Sequence, residues 1–445
     1  MTPMRAASMA VVWAISSLAA AAPGDGRPME RITLQDGRQL RGIIEAEDDR
    51  WLHFRIVHEP PGRPAFLVIQ PIERDQVRQV ERLAGEARAE LQRRTDALVG
   101  RASIEAARIE AVVLNEDTTD GRTRRTYVGK WFTLESTADV ETTQRLVVRL
   151  EQAVAAYRQI LPPRGEKKFS VQVLATLDEY QKALAPLGLS VSNPAVYLPQ
   201  RNLVLAGSEL ARYQSDRAAI AVQHRALKAE LRQLEERLPQ RLAEIGKQLQ
   251  EQNADRKAVR ELLGRERRRF EEQIHRKQVE ILRGDRENQR AFDRVASQLL
   301  ARLSHEGFHA YVDTCVVAGR GGSLPPWLNE GLATMFEVGL LEAGAFRIDV
   351  PHRGAVKILA GDVAQGRLMP LNELLSLDQA AFLSDRGREA ASQRNYAYAW
   401  SLAHYLAIEK NLLAGGQLEK AILGGGQAQP DLQADWHGFV RQLVR

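Results

Sequence analysis

The segment from residue 208 to residue 298 constrains the fold most, because glycine is scarce there and strong helix formers dominate. Apolar residues recur there at steps of four, three and four, first at Leu227, Leu231, Leu234 and Leu238 and then at Leu238, Leu242, Ile245 and Leu249. This spacing is that of a coiled-coil seam, and Pro239 predicts a kink where the two runs meet. The polar tetrapeptide 252–255 lies at the midpoint. We therefore predict two long antiparallel helices that form a coiled-coil hairpin.

The basic character of the chain is concentrated in this hairpin. Residues 211–290 contain 20 Lys and Arg against 14 Asp and Glu, an excess of +6, while the whole chain carries a net charge of +5. The remainder is therefore nearly neutral, and the mixed signs within the hairpin are typical of a solvated helical face. A polyanion-binding surface is the alternative interpretation. We expect no nucleic-acid partner, and we consider the hairpin a candidate surface for a protein partner.

Three further regions are predicted from the remaining sequence. Residues 29–83 alternate apolar and polar positions between turn signals, which predicts a small β-rich module. Residues 84–126 predict a helical linker, and the polar stretch 115–125 is the best candidate for a linker between elements. Strand-like and helix-like segments mix over residues 127–445, with the hairpin inserted among them. The expected fold class is α+β.

The N-terminus predicts export. Arg5 precedes a short apolar stretch at 6–18, and small residues at 19–22 offer cleavage positions, which together indicate a signal peptide over residues 1–22. An uncleaved anchor is the alternative. No other apolar run approaches membrane length, so we expect no transmembrane span in the mature chain and a periplasmic, envelope or secreted location. The single cysteine, Cys315, excludes an intramolecular disulfide and is expected to be a buried structural thiol.

A histidine pair stands inside a helical pattern of apolar residues. His305 and His309 flank the sequence Glu306-Gly307-Phe308, and side chains four residues apart share one helical face. Both imidazoles can therefore face one metal ion, while Glu306 faces a water molecule on that ion. The alternative is an accidental pair of histidines on a helix surface.

Glu330 is the candidate third ligand. It lies in the first turn of a predicted helix that begins at Trp327, after Pro325-Pro326, among apolar neighbours. A carboxylate in such surroundings is costly unless it is paired or bound to a metal. A catalytic zinc ion usually has three protein ligands, so Glu330 would complete the site. The alternative is an ordinary acidic residue near a helix N-terminus.

These motifs carry a resemblance to a known superfamily. The sequence HEGFH at 305–309, followed by WLNEGLA at 327–333, resembles the gluzincin metallopeptidases, which are peptidase MA-like enzymes. The chain looks most like an exported bacterial branch, over about residues 127–207 and 290–425. The resemblance implies a zincin-like fold with Zn²⁺ bound by His305, His309 and Glu330, and with Glu306 as the general base.

The resemblance also implies a phenol that stabilises the tetrahedral oxyanion. Tyr396 is the residue that aligns with it, and Tyr398 is the competitor. The alternative is that these aromatic residues belong to the core. Asp313 and Glu337 are candidates for orienting the histidine ligands, whereas His404 is expected to be structural.

The expected function is that of an exported zinc-dependent peptidase that cleaves a peptide or protein substrate. Glu306 would take a proton from a zinc-bound water and pass it to the leaving amine. Two alternatives belong to other classes. One is a gluzincin-fold scaffold without turnover, and the other is an envelope adaptor that binds its partners through the hairpin.

Overall fold

The computed structural model describes residues 28–59, 64–119, 121–189, 193–317, 323–342, 345–382, 389–410, 412 and 430–445. The predicted signal peptide at 1–22 lies outside these residues. The predicted α+β class is confirmed, since the chain combines long helices with an N-terminal β-sheet and a second sheet. None of the helices in the described ranges is both long enough and apolar enough to cross a bilayer.

The N-terminal module is a five-stranded antiparallel sheet with a core of its own. Its strand order is β4-β3-β2-β1-β5. The strands are β1 Glu30–Leu34, β2 Gln39–Glu47, β3 Trp51–His58, β4 Phe66–Glu73 and β5 Val77–Glu81. Alternate side chains such as Ile32, Leu52 and Phe54 are fully buried on one face, as the period of two in a strand requires. Helices α1 (Gly85–Val99) and α2 (Arg101–Glu110) follow.

The prediction of a linker at 115–125 is wrong, because most of this stretch belongs to two strands. β6 (Asn115–Thr119) and β7 (Arg122–Val128) pair as an antiparallel hairpin at the edge of the second sheet. All five residues of β6 are exposed, so the strand needs no apolar alternation. Gly121 adopts φ 73° at the turn, a conformation that glycine reaches without strain. The helical part of the predicted 84–126 segment therefore ends at Glu110.

The second sheet has six strands in the order β10-β11-β9-β8-β7-β6. Its further strands are β8 Phe132–Ser136, β9 Phe169–Leu174, β10 Ala195–Leu198 and β11 Leu203–Gly207. β9 runs parallel to β8 and β11, whereas β10 pairs antiparallel to β11. Helix α3 (Val140–Ile160) is capped by Asp139, whose side chain accepts a hydrogen bond from Thr142 N. Helix α4 is Leu177–Leu184.

The predicted hairpin consists of two helices of unequal length. α5 spans Leu210–Glu251, and α6 spans Arg256–Tyr311 in one run of 56 residues. They meet at the predicted turn, where Asp255 caps α6. α5 continues through Pro239. At 1.5 Å per residue, the 42 residues of α5 extend about 60 Å.

The predicted leucine seam is only partly buried. Leu238 and Leu242 are buried against the second arm, which contributes Val259, Ile274 and Ile281. Leu227 and Leu234 are each 44% exposed. Two helices cover only a narrow seam, so positions at its margin stay open to solvent.

The C-terminal part packs helices against α6 and α3. After a π-helical turn at Val312–Val316, the elements are α7 Pro326–Glu337, β12 Leu340–Glu342, β13 Ala345–Arg347, α8 Arg353–Ala364, α9 Leu371–Leu375, a 3₁₀ turn at Gln379–Phe382, α10 Glu389–His404, a π-helical turn at Tyr405–Glu409 and α11 Pro430–Leu443. Large aromatic side chains fill this core, among them Tyr157, Phe308, Phe336, Trp400 and Trp436. Cys315 is buried and unpaired, as predicted.

Candidate metal centre

The last turns of α6 place the two histidines. Phe308 and Leu303 are fully buried on the face that packs on the core. The phenol of Tyr157 on α3 donates a 2.6 Å hydrogen bond to the carbonyl of Ser304, the residue before His305. These contacts fix the rotation of the helix about its axis, so that His305 and His309 are directed towards α7.

Helix α7 brings Glu330 to the histidine pair. Glu330 Oε2 lies 3.4 Å from His305 Nε2 and 3.5 Å from His309 Nε2. One ligand atom from each of the three residues lies within 4.8 Å of the others. Glu330 is only 2% exposed. The structure thus brings together the three residues that were predicted as ligands.

This cluster fits a metal ion on chemical grounds. Glu330 Oε2 is buried and makes no hydrogen bond of regular geometry within the described residues. A buried carboxylate oxygen without a hydrogen bond destabilises the folded protein unless a cation interacts with it. Two imidazoles and one carboxylate form a donor set that suits catalytic zinc. The cluster could therefore hold a divalent metal ion.

The pKa values of the cluster reflect its buried charge. Burial of Glu330 opposes ionisation, but His309 and His305 outweigh that effect and hold the pKa of the carboxyl well below its usual value. Burial lowers the pKa of His305, yet contacts with Glu330 and Glu337 raise it to about 10. Burial likewise opposes protonation of His309, but the Glu330 charge raises its pKa. The buried negative charge of Glu330 thus favours positive charge beside it, which a bound cation would supply.

Glu337 and Asp313, both predicted as orienting groups, take different places. Glu337 Oε2 lies 3.0 Å from His305 Nδ1, an ion-pair distance, although the N–H is not aligned for a regular hydrogen bond. Arg302 in turn lies 3.0 Å from Glu337. Asp313 instead shares a hydrogen bond with the phenol of Tyr197. Glu337 is therefore placed to orient a histidine ligand, whereas the hydrogen bond of Asp313 goes to Tyr197.

Glu306 contacts strand β10, and its negative charge acts on both His305 and His309. Its Oε2 accepts a 2.8 Å hydrogen bond from the backbone N–H of Tyr197. Among the residues that the structure describes, β10 is the last strand at its edge of the sheet. The predicted general base therefore lies between the histidine pair and an edge strand.

Tyr396, and not Tyr398, faces the cluster. Its ring lies 6.4 Å from the His305 ring, and both burial and the Glu330 charge raise the pKa of its phenol. Tyr398 instead donates a 2.9 Å hydrogen bond to Asp362 on α8. His404 is buried beside Phe439, and burial lowers its pKa to about 4. Tyr398 and His404 therefore contribute to packing between helices.

Gln379 is a contact of the site that the sequence pattern does not reveal. Its Nε2 donates a 2.7 Å hydrogen bond to Glu330 Oε1. The two residues are 49 positions apart and lie on different elements. A pattern of local spacing carries no signal for such a contact.

Gly331, next to the carboxylate ligand, allows α7 and α10 to approach closely. A Cβ atom there would clash with the carbonyl oxygen of Ala399 and would press on the Ala403 side chain. We expect Gly331→Ala to lower the free energy of unfolding by about 1–3 kcal/mol, because a packed core resists added volume. Chemical denaturation with a circular-dichroism readout measures this effect.

Gly361 on α8 is the matched control for this substitution. Outside its own helical turn, a Cβ atom at Gly361 would meet no atom of the described residues within 4 Å. Gly361→Ala is therefore expected to stabilise the protein by about 0.5–1 kcal/mol, since alanine favours the helix. Equal stability of Gly331→Ala and wild type would contradict the close approach of the helices.

The cluster defines a class of site, in which two histidines and one carboxylate on adjacent helices could hold a metal ion. Residues 299–414 match a family model described as a protein of unknown function, DUF1570. This segment contains His305, Glu306, His309, Glu330 and Tyr396. Comparison with the curated proteins gives no match. The chain is thus similar to that family over the segment that carries the candidate metal-binding cluster.

Proposed function

We propose that this protein is a zinc-dependent peptidase of the gluzincin type. The observation that carries the proposal is the convergence of His305, His309 and Glu330 in one buried cluster. Glu306 interacts electrostatically with both histidines, and the Tyr396 ring lies 6.4 Å from the His305 ring, as a general base and an oxyanion donor would need to. A zincin-like fold and export of the mature chain belong to the same proposal.

The residues divide the chemistry of peptide hydrolysis between them. Zn²⁺ held by His305, His309 and Glu330 would supply Lewis-acid polarisation of the scissile carbonyl and would lower the pKa of water. Glu306 would accept the proton of the attacking water and pass it to the leaving amine. The phenol of Tyr396 would donate a hydrogen bond to the oxygen that becomes negative.

An extended peptide suits the edge of the second sheet. Within the described part of the chain, β10 has a hydrogen-bonded neighbour on one side only. Peptides commonly bind by adding a strand to such an edge. Because Tyr197 of β10 contacts Glu306 through its backbone N–H, a peptide on this edge would run close to the proposed base.

The experiment combines metal analysis with peptide hydrolysis. We expect about one zinc ion per chain after purification without chelators, and cleavage of members of a fluorogenic peptide library. Hydrolysis should disappear after chelation and return on addition of Zn²⁺, whereas Mg²⁺, which prefers oxygen ligands, should not restore it. A chain that binds no zinc would contradict the proposal.

A scaffold without turnover is the second candidate, and the hairpin favours it. Leu227 and Leu234 are partly exposed and line a groove between the arms, which a partner protein could cover. Full zinc occupancy without hydrolysis of any library member would favour this candidate. The presence of Glu306 argues against it, since a scaffold needs no general base.

A further inference from the structure

We infer that Gln379 is a positioning residue that fixes the carboxylate of Glu330 in its metal-binding orientation. This inference rests on the proposed metal centre and assigns a role to a side chain outside the ligand set. The two oxygens of Glu330 have different surroundings. Oε2 faces both histidine Nε2 atoms, while Oε1 accepts the hydrogen bond from Gln379.

The hydrogen bond restricts how the carboxylate can bind a metal ion. A carboxylate can offer one oxygen or both to a metal, and rotation about its last bond exchanges them. The amide of Gln379 holds Oε1 at 2.7 Å and leaves Oε2 free towards the histidines. Glu330 would therefore bind through one oxygen. A neutral donor in this position also preserves the negative charge of the ligand.

The backbone around Gln379 is held firmly enough for this role. Gln379 begins the 3₁₀ turn Gln379–Phe382, in which Asp378 Oδ1 accepts a hydrogen bond from Ala381 N. Asn395 on α10 donates a 2.8 Å hydrogen bond to the Ala381 carbonyl. The turn is therefore tied to the helix that carries Tyr396.

The same turn also contacts Tyr396 itself. Phe382, at the end of the turn, packs edge-on against the Tyr396 ring at 5.3 Å and is 1% exposed. One short element thus touches a proposed ligand through Gln379 and the proposed oxyanion donor through Phe382. Gln379 is exposed apart from its amide contact, so a substitution there should leave the core intact.

The test measures metal affinity and ligand geometry in the full chain. We expect Gln379→Leu to raise the zinc dissociation constant about 10- to 100-fold, the range found when a group that orients a ligand is lost. Gln379→Glu has nearly the same shape but sets a second carboxylate against Glu330, so its affinity should fall at least as far. Competition with a chromophoric chelator gives the constants, and the visible spectrum of the Co²⁺ form reports the coordination geometry.

Two controls separate this role from a general structural one. Gln393→Leu changes an exposed glutamine on α10 and should leave the zinc dissociation constant and the Co²⁺ spectrum unchanged. In a Glu330→Ala background, Gln379→Leu should cause no further loss of affinity, because Gln379 acts through Glu330. The melting temperature of metal-free Gln379→Leu should equal that of the metal-free wild type.

The outcomes distinguish this inference from the proposed function. If the wild type binds no zinc, the metal centre itself fails. If the wild type binds zinc and Gln379→Leu binds it equally well with the same Co²⁺ spectrum, the positioning role is overturned while the metal centre stands. The positioning role would also be overturned if Gln379→Leu weakened zinc binding as much in the Glu330→Ala background as in the wild type.

Discussion

Replacing Glu306 with glutamine is expected to lower kcat for peptide hydrolysis by about 10²- to 10⁴-fold, the usual contribution of a general base. The amide keeps the size of the side chain and can still accept the hydrogen bond from Tyr197 N. It cannot take a proton from water at neutral pH. Steady-state kinetics on a peptide that the wild type cleaves would measure the change. Zinc affinity should stay near the wild-type value, because Glu306 is not one of the three clustered ligands.

Glu272→Gln is the matched control for this experiment. Glu272 lies on the same helix, in the hairpin arm, and is exposed. Loss of the Glu272 carboxylate should leave kcat unchanged. Wild-type activity in Glu306→Gln would refute the role of Glu306 as base, whatever the zinc content of the protein.

Tyr396→Phe is expected to lower kcat about 10²- to 10³-fold, as the loss of one oxyanion donor does in other hydrolases. KM should change little, because the phenol would act on charge that develops only in the transition state. The aromatic contacts with Phe382 and His305 remain available to the phenylalanine ring. Measurement of kcat and KM separately, together with zinc content, tests this expectation.

Tyr398→Phe provides the contrast. It removes the hydrogen bond to Asp362 and should lower stability by about 1 kcal/mol while leaving kcat near the wild-type value. The two substituted positions are two residues apart on one helix, so the comparison tests which face of α10 carries the oxyanion donor. The reverse pattern would assign the oxyanion role to Tyr398.

Features with a local sequence signal could be predicted. The hairpin and its turn follow from apolar spacing, scarce glycine and a polar tetrapeptide at 252–255. The juxtaposition of His305 and His309 follows from their separation by one helical turn. The addition of Glu330 depended on a chemical argument, that a carboxylate among apolar neighbours needs a cation.

Features set by tertiary contacts could not be predicted. β6 is exposed along its length, so its residues show no apolar alternation and read as a linker. Gln379 reaches Glu330 only because the 3₁₀ turn folds back beside α7. Nothing in the sequence of α7 requires a glycine at position 331. The requirement comes from the close approach of α10, which leaves no room for a Cβ atom there.

The continuity of α6 means that the hairpin cannot be removed at an arbitrary point of the helix. A single hydrogen-bonded ladder runs from Arg256 at the tip to Tyr311, past both histidines. Any excision of the arms creates a new helix start, whose first N–H groups lose their acceptors. Asp293 precedes His305 by twelve residues and is of a type that caps such a start. A shortened chain that begins the helix at Asp293 should keep the histidine pair in place, whereas a cut closer to His305 would fray it.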